Sequence, residues 1–247
     1  MYPAPPRGKI AYVSPHFDDM AYSNGGVLRI LSLGLALNEI ITVVNVFTRS
    51  RYSAFGSGKD PDEITSTRKR EDSEYCRVLG INSVDLGFRD SSMRGYTDRT
   101  ELVRTVKGER KLVGMVSKRL SKVLRELSPT SILLPLALGD HVDHRIVFES
   151  VSSFQPVRSL KLYYEDLPYA GDMRLTEVNE HANCSLGSCV PISVDIKQFL
   201  NKKIQDMKIY GSQTGRHEIR AVLSHARRIS NRSSACERLW MPIHGIA

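Results

Sequence analysis

The stretch Lys9-Ile10-Ala11-Tyr12-Val13-Ser14-Pro15-His16-Phe17-Asp18-Asp19 decides the fold. Its apolar residues run on without alternation, as in a strand buried on both faces of a parallel sheet. Three ionisable groups then fall within four residues where the chain leaves that strand. Working outward, Ile40 to Phe47 is rich in β-branched residues and reads as a second buried strand, Val84 to Phe88 as a third and Ser131 to Leu138 as a fourth. Amphipathic runs between them predict helices over Gly25 to Leu35, over Pro61 to Leu79 with Gly80 as the stop, and from about Asp143. Thr100 to Leu127 predicts a long basic helix interrupted near Gly108. Leu162 to Glu165 and Ile192 to Val194 read as later edge strands, and a helix is expected from Val194 to about Tyr210. The alternation predicts an α/β protein with a Rossmann-like, open, mostly parallel sheet and helices on both faces. With no repeat or linker, residues 1–247 read as a single domain.

Composition narrows the function classes. A chain that is 41% hydrophobic and 25% charged is not intrinsically disordered. Its most apolar run, Ile132 to Leu138, contains Pro135 and is far short of the roughly 20 residues a membrane span needs. Met1 to Lys9 lacks the pattern of a signal peptide, so a cytoplasmic location is expected. Four cysteines are too few for a disulfide scaffold, and Cys184 and Cys189, in a loop-like run, are expected to be free thiols rather than a metal clip. The net charge of +8 is concentrated: residues 101–125 carry +6 and residues 214–247 carry +4. These stretches read as solvated helix faces. They also keep open a non-catalytic basic module that binds nucleic acid or an acidic partner, and the basic balance weighs against a polycationic small molecule.

In open α/β sheets the chemistry sits beyond the carboxyl ends of the strands. Two polar clusters fall there: His16-Phe17-Asp18-Asp19 after the first strand, and Asp140-His141-Val142-Asp143-His144 after the fourth. Each alone has an ordinary reading, the first as a helix cap and the second as a solvated turn. Together they have the composition of a catalytic metal site, with three ligands, an open position and a non-ligating carboxylate to take a proton. A binding module has no use for His16, Asp18, Asp19 and His144 together.

At these residues the sequence resembles the PIG-L/LmbE-like family of zinc-dependent N-deacetylases. The family's His-Pro-Asp-Asp-Glu-type and His-Pro-Asp-His motifs stand here as His16-Phe17-Asp18-Asp19-Met20 and His141-Val142-Asp143-His144. Arg68-x-x-Glu71 and Arg89-Asp90-Ser91-Ser92-Met93 look like two further family stretches, and Tyr210-Gly211-Ser212-Gln213 is a weaker echo. The resemblance implies that His16, Asp19 and His144 bind Zn2+, with another divalent ion such as Fe2+ left open. It implies Asp18 as general base, His141 near the developing oxyanion or leaving amine, and Asp143 orienting a histidine. Arg68 and Asp90 would grip substrate hydroxyls. The implied activity is hydrolytic removal of an N-acetyl or other N-acyl group from a small amino-sugar conjugate. Nucleic acid is disfavoured as a partner, and homo-oligomerisation is left open. Three departures stand out: Phe17 for proline, Met20 for an acidic residue, and Gly139 where some members carry a tyrosine, a role for which Tyr163, Tyr164 and Tyr169 are candidates. His181, His217, His225 and His244 are expected at the surface, and Trp240 either packs the C-terminal tail or walls the pocket.

Overall fold

The computed structural model describes residues 8–32, 40–56, 60–96, 102, 106–152, 159–230 and 234–243. Seven strands form one sheet in the order β3-β2-β1-β4-β5-β7-β6. Five run parallel: β1 (Ile10–Ser14), β2 (Ile41–Arg49), β3 (Asn82–Arg89), β4 (Ser131–Pro135) and β5 (Leu160–Tyr164). β6 (Cys189–Asp195) and β7 (Cys236–Pro242) complete it, with β7 antiparallel to both β5 and β6. Every residue of β1 and β4 is buried, as unalternating apolar strands in a covered sheet must be. Because the order reverses direction at β1, the crevice between the ends of β1 and β4 is the topological switch point where such sheets bind ligands.

The first helices are α1 (Asp19–Ser32), α2 (Pro61–Leu79), α3 (Arg110–Leu127) and α4 (Val142–Ser152). After β5 come the short α5 (Tyr169–Asp172), then α6 (Leu175–Leu186), α7 (Leu200–Met207) and α8 (Arg216–Ile229). α3 packs on α4, while α1 packs on α2 and α7, so the crossovers place helices on both faces. α2 has the bounds its sequence signals: Asp60 accepts the Asp62 N–H at 3.0 Å, Pro61 opens the first turn, and Gly80 closes it at φ 67°. α1 starts earlier than expected, at Asp19, and kinks at Asn24. Beyond the kink the carboxylate of Glu237 accepts the Gly26 and Val27 N–H groups at 2.9 and 2.7 Å. A carboxylate thus satisfies the backbone amides that the kink leaves without helical partners.

The far side of the sheet departs from the sequence expectation. Leu162 to Glu165 belongs to an interior strand, because β7 pairs with β5 and leaves β6 at the edge. The tail segment containing Trp240 is that strand, and Trp240 is buried. Its charges hid it: Glu237 is paired with Lys203, and Arg238 and Trp240 both donate to Glu165. His225, expected at the surface, is 1% exposed and shares that Glu165 from α8. The run from Val194 yields a 3-10 turn, Lys197–Phe199, before the shorter α7. Cys184 lies in α6 and Cys189 opens β6, so the expected loop between them is short, and all four cysteines are free. The basic run after residue 100 becomes a 3-10 turn, Val106–Glu109, containing Gly108, and then α3. The end of the predicted first helix, residues 97–101 and His244 lie outside the described residues.

Candidate active site

The turn after β1 is tied at both ends. The Ser14 hydroxyl donates to the His16 carbonyl at 2.7 Å, the His16 N–H to Asp19 Oδ2 at 2.7 Å, and the Phe47 N–H to the Pro15 carbonyl at 2.9 Å. These bonds stiffen the turn where the family's proline is absent; Phe17 and Met20 are instead core residues. After β4 the chain passes through positive φ at Ala137, Gly139 and Asp140 before α4 begins. Non-glycine residues rarely hold that conformation, and it is tolerated where the surroundings fix it. Here the Leu138 N–H is fixed on Asp166 Oδ2 at 3.0 Å.

These two loops bring His16, Asp19 and His144 together, one ligand-type atom of each lying within 4.8 Å of the others. His16 Nδ1 is 3.3 Å from Asp19 Oδ2, and His144 Nε2 is 3.4 Å from Asp19 Oδ1. The opposite nitrogen of each ring is held by a further carboxylate. His16 Nε2 donates to Asp143 Oδ2 at 2.9 Å, and His144 Nδ1 donates to Asp166 Oδ1 at 2.6 Å. Carboxylates behind the rings fix which nitrogen faces inward, the arrangement that supports imidazole ligands in metal sites. His144 Nε2 is fully buried and has no hydrogen-bond partner. An orphaned imidazole nitrogen beside a carboxylate and a second imidazole is a donor set that fits a divalent cation.

The electrostatics point the same way. Burial pulls His16 down, but its bonds to Asp143 and Asp19 outweigh that and raise it to about 10. Burial pushes Asp19 up, yet His144 and His16 bring it down to about 2. Asp143 falls below the usual carboxylate range despite its burial, because His16, His141 and Arg94 surround it. The cluster is therefore built to hold positive charge.

Asp143 sits at the junction: besides His16 it accepts the Ser91 N–H at 2.9 Å and pairs with Arg94 at 2.8 Å. His141 Nδ1 accepts the Asp143 N–H at 3.2 Å. Burial, together with the neighbouring His16 and His144, holds the His141 imidazole down at about 3, so it is neutral at physiological pH and carries its proton on Nε2. Asp18 lies at the cavity wall, its Oδ1 3.1 Å from Arg68 Nη2. Arg68 also donates to the Ser50 hydroxyl at 3.1 Å and lies 3.8 Å from Asp90. Both residues expected to grip substrate thus line the cavity while already engaged with each other. Of the three tyrosine candidates, Tyr169 lines the cavity, beside His141 and His144. A Cβ at Gly139 would lie 2.5 Å from that of Tyr169, so the glycine makes room for this ring. Tyr163 and Tyr164 are buried in β5.

Sequence reasoning missed Asp166 and Arg94, which act on Asp143 and His144 from other elements. It placed Glu71 in the Arg68-x-x-Glu71 stretch without a partner. Glu71 instead accepts the Ser212 N–H and hydroxyl at 2.8 and 2.6 Å, joining two separate echoes of the family pattern.

The cavity over the cluster has a volume of about 610 Å3. Among the described residues, its walls carry the carboxylates of Asp18, Asp19, Asp90, Asp172, Glu177 and Glu218, against the guanidinium of Arg68. Among the described residues, none of basic α3 lines it. The positive net charge therefore does not describe the cavity, whose described walls carry more carboxylates than cations.

Fold and site together define a Rossmann-like protein with a His-Asp-His cluster at its switch point. Residues 11–154 match the PIG-L family, described as GlcNAc-PI de-N-acetylase. The chain belongs to the PIG-L family. It is 37% identical over 226 residues to a 2'-N-acetylparomamine deacetylase of Streptomyces fradiae, covering 90% of this chain and 79% of that protein. Among solved structures it resembles the zinc-inhibited form of teicoplanin deacetylase, with 21% identity, a TM-score of 0.72, and 96% and 99% of the two chains covered. It also resembles the N,N'-diacetylchitobiose deacetylase of Pyrococcus horikoshii, with 19% identity, a TM-score of 0.64, and 95% and 84% covered. No helix among the described residues is long and apolar enough to cross a membrane.

Proposed function

We propose that the chain is a divalent-metal-dependent hydrolase that removes the N-acetyl group of an amino-sugar conjugate. One observation carries this reading: His16 Nδ1, Asp19 and the buried His144 Nε2 converge beside a cavity that His16, Asp19 and the carboxylate of Asp18 line. Membership of a de-N-acetylase family and the likeness to a 2'-N-acetylparomamine deacetylase support the same substrate class.

His16, Asp19 and His144 would hold the ion, with Asp143 and Asp166 fixing the two rings. The ion, when bound, would polarise the acetamide carbonyl and bring the pKa of a water towards ~7. Asp18 takes the proton of the attacking water as its oxygen bonds to the carbonyl carbon, and Arg68 holds that carboxylate in place. His141, which lines the cavity with its Nδ1 accepting the Asp143 N–H, would donate from Nε2 to the oxygen that gains charge. The C–N bond then breaks, and the nitrogen takes a proton delivered from Asp18, giving acetate and a free amine. Two imidazoles and one carboxylate suit zinc and iron alike. Zinc is the ion the sequence resemblance implies, and a zinc-inhibited form is described for teicoplanin deacetylase, so both ions belong in the test.

Two variants separate the roles. Asp18→Asn keeps the bound metal and loses about 10²–10⁴-fold in kcat, whereas Asp19→Asn loses the metal as well. Acetate release and metal content by mass spectrometry check this; equal metal loss in both variants overturns the assignment.

A further inference from the structure

Asp143 orients the His16 ring, and a set of contacts outside the ligand cluster holds Asp143 in turn. Its side chain is fully buried. Oδ2 is shared by His16 Nε2 and the Ser91 N–H, each at 2.9 Å. Oδ1 is buried without a hydrogen bond, and the cation it faces is Arg94, whose Nη1 lies 2.8 Å away. A buried carboxylate that loses its cation is left with an uncompensated charge, so the place of Asp143 depends on that guanidinium.

Local chemistry brings Arg94 there. β3 ends at Arg89, and Asp90 caps the 3-10 turn Ser91–Met93 by accepting the Met93 N–H at 3.3 Å and the Ser92 hydroxyl at 2.6 Å. The Arg94 N–H then donates to the Ser91 carbonyl at 3.0 Å, and its Nη1 to the Arg89 carbonyl at 2.8 Å. One short loop therefore presents an N–H from Ser91 and a cation from Arg94 to the same carboxylate. The guanidinium is fixed from its other side as well. Its Nε donates to Glu109 Oε1 at 3.0 Å, just ahead of α3, and the ring centroids of Phe47 and Tyr96 lie 5.1 and 5.5 Å from its central carbon. Glu109 Oε1 also accepts the Tyr96 hydroxyl at 3.0 Å. Asp90, Ser91, Ser92 and Tyr96 line the cavity, whereas Arg94 and Glu109 stand outside it.

We infer that Arg94 is a positioning residue: through Asp143 it fixes the His16 ring with Nδ1 towards Asp19, and so sets the grip of the cluster on a divalent cation. The inference rests on the metal site of the hydrolase reading, and not on which bond that site hydrolyses. The competing explanation is a staple that only stabilises the fold, and the buried pair of Arg29 with Asp206, 2.6 Å apart and away from the cavity, supplies the comparison.

Cobalt(II) alone is the probe, because it takes imidazole and carboxylate donors and, unlike zinc, absorbs visible light in a way that reports their arrangement. Metal-free wild-type protein and Arg94→Met are titrated with cobalt(II) against a competing chelator. Methionine keeps much of the packing between Phe47 and Tyr96 and removes the charge. Its dissociation constant for cobalt should rise about 10–100-fold, the usual effect of disturbing the partners behind a ligating histidine, and the visible bands of the bound ion should shift. Arg29→Met breaks a comparably buried pair and should leave affinity and bands as in the wild type. Should Arg94→Met not fold, Arg94→Lys decides: a lysine lacks the fork that holds Glu109 and Asp143 at once, so the bands should shift with a smaller loss of affinity. Unchanged bands and affinity in the folded Arg94 variant, or an equal loss in Arg29→Met, overturn the inference. A wild-type chain that takes up no cobalt overturns it together with the metal site. Loss of cobalt in Arg94→Met as expected, from a wild-type protein that releases no acetate, supports the inference and removes the deacetylase reading alone.

Discussion

Asp72 on α2 is 2% exposed, and its carboxylate accepts the Tyr210 hydroxyl and the Asn45 amide, both at 3.0 Å. Burial, with Asp85 adding to it, raises this carboxyl from 3.8 to about 7, even though its hydrogen bonds pull the other way. The folded chain therefore keeps a proton that the unfolded chain has released. Such a group adds stability that is complete below about pH 4 and is lost as the pH rises through about 7. Asp72→Asn should accordingly flatten the stability profile between those values. Denaturant midpoints across that range check it, and a variant whose midpoint still falls as steeply as the wild type contradicts it. At the same scale, His16 and Asp18-Asp19 were legible because a second ionisable cluster, His141 to His144, follows another strand, and the two together have few structural explanations. Asp166 was not, since nothing in Glu165-Asp166-Leu167 marks the acid as belonging to His144, 22 residues earlier.

Among the elements, β1 and β4 place their loops side by side because they are hydrogen-bonded neighbours at the switch point. β5 supplies the third contribution, since Asp166 follows its end and holds both His144 and the Leu138 N–H. Removing that carboxylate releases a ring and a loop together. Asp166→Asn should weaken metal binding about 10–100-fold, the usual effect of removing a supporting carboxylate, with the fold retained. Metal titration against a competing chelator measures it, and unchanged affinity would show that His144 is oriented without Asp166. The bounds of α2 were readable from Asp60, Pro61 and Gly80, since caps are local chemistry. β7 was not, because a strand carrying Glu237 and Arg238 looks like a polar tail until Lys203 and Glu165, distant in sequence, neutralise them. His225 misled for the same reason: its polar neighbours are exposed, but it faces Glu165.

For the whole molecule, net charge and local charge diverge. The chain is basic at +8, yet carboxylates predominate on the cavity walls, and only the second fact reaches a bound ligand. Strand alternation gave the parallel Rossmann-like half, where periodicity carries the information. The antiparallel edge depended on pairings between distant segments, which periodicity does not record. The central claim, hydrolysis of an N-acetyl amino sugar at the His16–Asp19–His144 cluster, is tested most directly by acetate release from protein stripped of metal by a chelator and then resupplied with zinc or ferrous ion. The account predicts no acetate from the stripped protein, and acetate and free amine in equal amounts once about one ion per chain is bound. Acetate release that survives stripping, or none with the ion bound, would contradict it.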